Sequence, residues 1–307
     1  MCHSGGGTES TELSVLLAID KWIYSFHMAL FFFVSGYLQR ISEKKGYGWD
    51  IIKNKLFSIL GPYIVFSIVF WAFKKMFAGS ISNPVTLKDL LLICIFPLSD
   101  LWFLYALAVF YLLRVVLVRM KINEMTIIVL SIALSIFSMS VKWEGIIGYT
   151  ALSRICKYLC FYFGGAIYQR TEKKQILNRK LLTVCIAMLF VGIVGLLVSN
   201  YSSGVCKAII EFGVTCCNIY AFVIAGKLLE SKILQFFGME SLYVFLVHDY
   251  AVCAVVIIMR RFIISPYVMT GMATVGGILF SLFIIWICTK NKVFDYFFKP
   301  QLLLRHR

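Results

Sequence analysis

The sequence predicts an all-α bundle of membrane-spanning helices, on the evidence of its composition, its apolar runs and the placement of its Lys and Arg residues. Of its 307 residues, 61% are hydrophobic and 15% are charged, and the mean hydropathy is +0.87. A soluble domain is usually ~45–50% apolar and ~25% charged. Because a soluble fold of this size needs a polar surface, the composition excludes a soluble enzyme, a nucleic-acid-binding domain and a disordered chain.

Nine apolar runs approach the ~20 residues, with ~17–25 tolerated, that a helix needs to cross a bilayer. The fifth run is short, so its helix is expected to begin earlier and to include Arg154 and Lys157. A tenth apolar stretch, Leu90–Leu98, is too short to cross and is expected to be an interfacial or re-entrant piece that ends at Pro97. The nine predicted spans are Trp22–Leu38, Leu56–Phe73, Leu101–Val118, Met125–Val141, Ile155–Tyr168, Leu181–Ser199, Ile209–Gly226, Leu242–Met259 and Val268–Thr289.

The Lys and Arg residues predict an orientation, because basic loops stay on the cytoplasmic side. If the first span runs from outside to inside, the inner segments hold 19 Lys and Arg and the outer segments hold 8. This bias accounts for most of the net charge of +15 and places the C-terminus in the cytoplasm. We expect one membrane domain over residues 1–295 and a basic cytoplasmic tail over residues 296–307.

The N-terminus would then lie outside, yet the first residues lack the basic start and apolar core of a signal peptide. The ten cysteines mostly lie in apolar runs, where Cys behaves as a small hydrophobic residue. Since no CxxC motif or Cys/His cluster has the spacing of a metal site, we predict neither a disulfide nor a metal.

Ionisable side chains inside apolar runs are candidates for function because they are costly in a membrane. His27 could relay a proton or donate a hydrogen bond to a substrate carbonyl, or be satisfied by a backbone carbonyl. His248 and Asp249 are adjacent on a predicted helix, about 100° apart, so we expect each to pair elsewhere, for structure or for function. His3 precedes Ser4 and three glycines, which let backbone approach a ligand; a disordered start is the alternative.

The basic loop from Arg40 to Lys55 has two interpretations. Such loops determine topology near anionic lipid headgroups. Cations at the cytoplasmic end of a bundle also attract phosphorylated ligands such as a nucleotide-bearing coenzyme. The sequence has no Walker or GxGxxG motif, so point charges would hold any nucleotide.

Four elements together resemble acyltransferase family 3, the integral-membrane acyltransferases that modify cell-surface sugars. Residues 26–38 resemble the FHMPLFFFxSGYL signature of its fucose 4-O-acetylase-like branch, with Ala29 in place of the usual proline. The other elements are the basic stretch 53–56 leading to Pro62 and Tyr63, the LWFL element at 101–104, and the GxxSLxxxLxH element at 238–248. The resemblance covers nearly the whole chain.

The resemblance implies a membrane-bound O-acetyltransferase in a bacterial inner membrane. Acetyl-CoA would be the donor, with no tightly bound cofactor, and a hydroxyl of a cell-surface polysaccharide or lipid-linked sugar would be the acceptor. His3 would be the general base or an acyl relay, His27 would orient substrate or stabilise the oxyanion, and His248 would be a third catalytic residue. The substrate-binding residues that the resemblance implies are Arg40, Lys53, Lys55, Ser35 and Trp102.

The family fold usually has ten helices with both termini in the cytoplasm. When residues 26–38 are placed on the family signature, Cys2-His3-Ser4 falls at the end of the family's first helix. We therefore expect that the usual first helix is missing, that the chain starts at an internal Met of a longer reading frame, and that the nine spans would become ten.

Two other functions remain open from the residues alone. A transporter or flippase of a lipid-linked sugar or small metabolite would also explain buried His and charged residues, although no pair of matching broken helices is evident. A truncated, non-catalytic relic is the other alternative.

Overall fold

The computed structural model describes residues 11–43, 46–76, 86–93, 96–97, 101–141, 143, 151–171, 179–229, 231–259, 262 and 265–300. Every regular element within these residues is helical, which confirms the all-α prediction. In chain order, the helices are α1 (Thr11–Ser42), α2 (Trp49–Met76), α3 (Leu87–Leu91), α4 (Trp102–Arg119), α5 (Glu124–Ser140), α6 (Leu152–Thr171), α7 (Arg179–Ser199), α8 (Gly204–Leu228), α9 (Lys232–Met239), α10 (Ser241–Met259), α11 (Pro266–Lys290) and α12 (Lys292–Phe298).

Seven helices of the described residues are long and apolar enough to cross a membrane, which makes this a multi-pass membrane protein. The predicted count of nine is not confirmed, because two predicted spans differ from the rest. Helix α5 is apolar but has 17 residues. Helix α6 has 20 residues but carries Arg154, Lys157 and Arg170. The spans found are Val15–Ser42, Trp49–Met76, Trp102–Arg119, Leu181–Ser199, Gly204–Leu228, Ser241–Met259 and Tyr267–Lys290.

Much of the middle of helix α6 is buried within the protein, while its three cations lie towards its two ends. The buried side chains of α6 include Phe161, Tyr162 and Phe163. A helix that is surrounded by protein does not need a fully apolar surface. As predicted, α6 begins before its apolar run. The described residues of the predicted interfacial stretch 90–98 are 90–93 and 96–97, and they include the end of the short helix α3.

Contacts divide the chain into two compact units. The first unit comprises the described residues of Met1–Ile19, Lys53–Leu101 and Ser231–Arg307. The second unit comprises those of Asp20–Ile52 and Trp102–Glu230. Helices α1 and α2 contribute residues to both.

Helices α1 and α6 of the second unit cross in backbone contact, and two glycines make this possible. A Cβ atom on Gly36 would lie 1.9 Å from the Tyr162 carbonyl oxygen, and one on Gly165 would lie 1.9 Å from the Phe33 carbonyl oxygen. Either distance is far below van der Waals contact, so only glycine fits. The glycine of the family-like signature therefore has a packing role.

The aromatic core of the second unit surrounds Phe32, whose side chain is fully buried. Its ring centroid lies 4.7 Å from Phe103, 4.9 Å from Phe110, 5.5 Å from Tyr158 and 5.9 Å from Trp102. Tilted rings at these separations are the favoured aromatic arrangement. This core links α1, α4 and α6.

In the first unit, the C-terminal helix α12 packs onto α2 and α10. The Phe298 ring lies 4.5 Å from Tyr243 and 4.8 Å from Phe66, centroid to centroid. Tyr243 is buried and its hydroxyl donates a hydrogen bond to Asp295. Helix α12 thus extends across residue 296, where the sequence predicts the tail to begin; the predicted division itself stays a prediction.

Candidate functional site

The predicted site residues fall into three groups. One, His3, lies outside the described residues. The second unit contains His27, Ser35, Arg40 and Trp102, and the first unit contains Lys53, Lys55 and His248.

His27 lies midway along α1 and its ring is held by the backbone of its own helix. The Nδ1 atom lies 3.0 Å from the carbonyl oxygen of Ile23, and the ring meets Tyr24 edge-on at 4.7 Å between centroids. Because a carbonyl oxygen only accepts, Nδ1 carries the proton of this hydrogen bond. In the neutral ring Nε2 is then the nitrogen that can take up a proton.

The backbone beside His27 is tied to α8 through one hydroxyl. Thr215 Oγ1 lies 3.0 Å from the Ser25 carbonyl oxygen and 2.8 Å from the Glu211 carbonyl oxygen. Both Thr215 and the neighbouring Phe26 are buried. Stacking of Phe26 on Phe222, at 4.7 Å between centroids, reinforces the contact of α1 with α8. The position of His27 is therefore fixed by more than its own helix.

Trp102 and Ser35 have different surroundings. Trp102 is 6% exposed and stacks on Tyr158 at 5.6 Å between centroids, with the Arg154 guanidinium 4.9 Å from its ring. Ser35 is half-buried on α1, one residue before the glycine at the α6 crossing. Trp102 is thus a core residue that also contacts a cation.

Arg40 belongs to a cluster of ion pairs at the C-terminal end of α1. Its Nη1 atom lies 2.6 Å from Glu43 Oε2 and 3.1 Å from Glu124 Oε1. Arg114 joins the same two carboxylates, and Arg170 binds Glu124 Oε2 at 2.8 Å. Three guanidinium groups surround two carboxylates, so the cluster keeps an excess of positive charge.

Burial and hydrogen bonding act in opposite directions on Glu43. Burial by itself would raise the pKa of Glu43, but hydrogen bonds and charge from Arg114, with help from Arg40, hold that pKa below 4.5. The pKa of the neighbouring Tyr47 hydroxyl is raised, first by burial and then by the Glu43 carboxylate. No hydrogen bond of ordinary geometry reaches this buried hydroxyl from the described residues. Glu43 is thus ionised and Tyr47 neutral at physiological pH.

The family sequence model described as an acyltransferase domain, acyltransferase family 3, matches residues 1–290. The chain belongs to acyltransferase family 3. No curated protein and no solved structure matches it. The family match confirms the resemblance to acyltransferase family 3 and supports a membrane acyltransferase, while the fucose 4-O-acetylase-like branch and the missing first helix stay predictions.

In this acyltransferase, His248 and Asp249 do pair, contrary to the prediction. His248 Nε2 lies 3.3 Å from Asp249 Oδ1, and Nδ1 lies 2.8 Å from the Val244 carbonyl oxygen. The Cα–Cβ bonds of adjacent helical residues diverge, but both side chains are long enough to curve towards each other.

The two lysines predicted to bind the donor of this acyltransferase lie near the start of α2. Lys53 and Lys55 are both exposed. Two residues apart on a helix, they point to different sides, about 200° apart. The two lysines therefore do not face a single ligand group together.

Sequence reasoning missed four members of the ion-pair cluster in this family member: Glu43, Arg114, Glu124 and Arg170. The signal was present, because Arg114 lies inside an apolar run and Glu43 lies within a basic loop. A buried Arg requires a carboxylate partner. Which carboxylate it meets depends on contacts 71 residues apart in the chain.

Proposed function

We propose that this family member transfers an acetyl group from acetyl-CoA to a hydroxyl of a cell-surface polysaccharide or lipid-linked sugar. The observation that carries the proposal is the arrangement of His27, which lies within the signature of a chain matched by an acyltransferase domain over residues 1–290. We further propose the bacterial inner membrane as its location, with the C-terminus in the cytoplasm, where the predicted charge bias puts it.

The chemistry proposed for His27 follows from its tautomer. With Nδ1 donating to Ile23, Nε2 can accept the proton of the sugar hydroxyl as its oxygen attacks the thioester carbonyl. The carbon–sulfur bond then breaks and the departing thiolate of CoA takes the proton from Nε2. General-base help of this kind contributes ~10²–10⁴-fold to the rate.

This role differs from the oxyanion stabilisation that the family resemblance implies for His27. An oxyanion needs a hydrogen-bond donor, and Nε2 of the neutral ring is not one. We therefore propose acid–base chemistry for His27, with His3 assisting it as a second general base and with direct transfer from the thioester to the sugar. His248, whose ring faces Asp249, is proposed as a positioning residue.

For the donor, we propose that Lys53 and Lys55 attract the phosphates of acetyl-CoA as it arrives from the cytoplasm. Both are exposed cations in the first two turns of α2. Arg40, whose guanidinium is bound by Glu43 and Glu124, stays a predicted donor-binding residue by itself.

The test measures transfer of label from radiolabelled acetyl-CoA to glycan, in membranes that contain the full chain. The expected result is that His27→Ala and His3→Ala abolish transfer while the amount of inserted protein is unchanged. His27→Gln, which keeps a polar group without the base, should be equally inactive. His306→Ala, in the tail, is the matched control and should be fully active.

Two outcomes would overturn the proposal. Near-normal transfer by both His27→Ala and His3→Ala would show that neither histidine is catalytic. Failure of the unaltered chain to label any glycan, together with movement of a lipid-linked sugar across the membrane, would favour a transporter; failure of both would favour a relic.

A further inference from the structure

A polar pocket of about 220 Å³ lies in the second unit, apart from the ion-pair cluster. It is formed where α5 ends and where α6 and α8 begin. We call it the Arg154 pocket, and its lining includes Ser138, Trp143, Ser153, Arg154, Lys157 and Glu211.

The Arg154 pocket is positively charged. Two cations and one carboxylate are among the described residues that line it, and that carboxylate, Glu211, already lies 3.9 Å from Lys207 Nζ. The Arg154 guanidinium lies over the Trp102 ring at 4.9 Å, and Lys157 Nζ over the Tyr158 ring at 5.3 Å. Within the described part of the chain, neither cation has a carboxylate at ion-pair distance. The pocket therefore favours an anionic ligand.

The backbone under the two cations is held in place by α5. Ser138 Oγ donates to the Ser153 carbonyl oxygen at 2.8 Å, and Ser135 Oγ donates to the Lys157 carbonyl oxygen at 2.6 Å. Trp143 Nε1 donates to the Ser138 carbonyl oxygen at 3.0 Å. These bonds fix the first turns of α6 against α5, so the pocket is formed before a ligand arrives.

The Arg154 pocket and the ion-pair cluster lie at opposite ends of α5. Glu124 begins this helix and Ser138 lies near its end. Fourteen residues at ~1.5 Å per residue separate them by about 21 Å along the axis. In the predicted orientation the cluster end, with Arg40, is cytoplasmic, so the pocket end faces outwards, away from the side on which acetyl-CoA arrives.

The pocket is also connected to the proposed reaction centre. Glu211, in its wall, and Ser25, two residues before His27, share the hydroxyl of Thr215 through their carbonyl oxygens, at 2.8 and 3.0 Å. The α1–α8 contact beside His27 is thus one helical turn from the pocket wall.

We propose that the Arg154 pocket binds the acceptor, and that the acceptor is an anionic saccharide carrying a carboxylate or a phosphate. The inference rests on the proposed acetyl transfer and names its substrate class. The guanidinium of Arg154 can donate two parallel hydrogen bonds to two oxygens of such a group, and the ammonium of Lys157 adds a second positive charge. Trp143 offers a ring for the apolar face of a sugar, and Glu211 accepts hydrogen bonds from its hydroxyls.

Binding to the purified full chain, measured without acetyl-CoA, tests the proposal independently of the chemistry. The probes are trigalacturonate and glucose 1-phosphate as anionic sugars, maltotriose as the neutral sugar, and CoA. At least one anionic sugar should bind more tightly than maltotriose and lose affinity as salt is raised. The two anionic probes distinguish a carboxylate from a phosphate.

Three variants locate the site. Arg154→Gln and Lys157→Gln should each weaken binding of the preferred anionic sugar by about tenfold to a hundredfold, as expected for a charged hydrogen bond. Glu211→Gln should increase the preference for the anionic over the neutral sugar. Lys121→Gln, which removes the same charge before the other end of α5, is the matched control and should bind normally.

The proposal is overturned if neither anionic sugar binds better than maltotriose, or if the Arg154→Gln and Lys157→Gln variants bind as the unaltered protein does. It is also overturned if CoA binds and these two substitutions weaken CoA instead, because the pocket would then serve the donor. Loss of transfer in His27→Ala with sugar binding intact would support both proposals. A chain that binds the sugar without ever transferring acetyl would refute only the proposed function.

Discussion

Arg114 of α4 binds Glu43 through two hydrogen bonds, from Nε to Oε1 at 2.8 Å and from Nη2 to Oε2 at 3.1 Å. This is the fork geometry of the strongest Arg–carboxylate pairs. Nη2 also lies 3.0 Å from Glu124 Oε1. One buried cation therefore joins α4 to the end of α1 and the start of α5.

Replacing Arg114 should destabilise the protein far more than replacing a partner at the rim. Arg114→Leu leaves two carboxylates without their buried cation and should lower the free energy of unfolding by about 3–5 kcal/mol. Arg170→Gln is the matched control, because Arg170 binds Glu124 but its side chain is 63% exposed. Its loss should be below about 1 kcal/mol. Thermal unfolding in detergent compares the two, and equal losses would contradict the role given to burial.

Acid should weaken the same cluster. The pKa of Glu43 is held below 4.5 in the folded protein, so its contribution to stability is fully present above pH 4.5. That contribution is lost as the pH falls through the lowered pKa and the carboxyl is protonated. Glu43→Gln should therefore be less stable at neutral pH and lose less stability on acidification. Unfolding temperatures between pH 7 and about pH 3 measure this difference; parallel curves for the two proteins would contradict it.

Adding one methyl group at the α1–α6 crossing should prevent correct packing. Gly165→Ala places a Cβ atom 1.9 Å from the Phe33 carbonyl oxygen, a backbone atom that cannot rotate away. Gly164→Ala is the matched control, since its Cβ would meet the Phe33 ring at an ordinary 4.0 Å. Fluorescence size-exclusion chromatography should show little folded Gly165→Ala protein and a normal peak for Gly164→Ala. A normal peak for both would mean that the helices do not cross at this distance.

The hydroxyl of Tyr243 should anchor the C-terminal helix α12. Tyr243→Phe removes the donor to Asp295 and should cost about 1–3 kcal/mol, since a charged acceptor loses its partner. Tyr296→Phe, on α12 itself, is the control and should change stability little. Hydrogen exchange of the α12 amides would report the anchor directly, with faster exchange expected only in Tyr243→Phe.

If Lys53 and Lys55 attract the donor, their removal should affect its binding rather than the chemical step. Lys53→Gln and Lys55→Gln should each raise the KM for acetyl-CoA about threefold to tenfold and leave kcat nearly unchanged. Lys75→Gln, at the other end of α2, is the control. A fall in kcat at constant KM would point instead to a role in the reaction.

Much of this protein could be predicted from its sequence because a membrane imposes strong local rules. The helical class, most of the spans and the family followed from run length, composition and the signature around His27. The count of membrane-crossing helices was less predictable, since α6 keeps Arg154 and Lys157 in a helix that its neighbours shelter. A hydropathy criterion recognises a helix that faces lipid as a membrane span, but it does not recognise a helix that is surrounded by protein.

The sequence by itself determined which residues are unusual for a membrane, among them His27, Arg114 and His248. The tertiary structure decided which carboxylate Arg114 meets, Glu43 at the end of another helix, whereas His27 and His248 contact Ile23 and Asp249 of their own helices. A run of apolar residues specifies a helix through local hydrogen bonds and the surrounding lipid. Partners far apart in the chain depend on how the helices cross, and the crossing is set by packing such as the contact at Gly36 and Gly165.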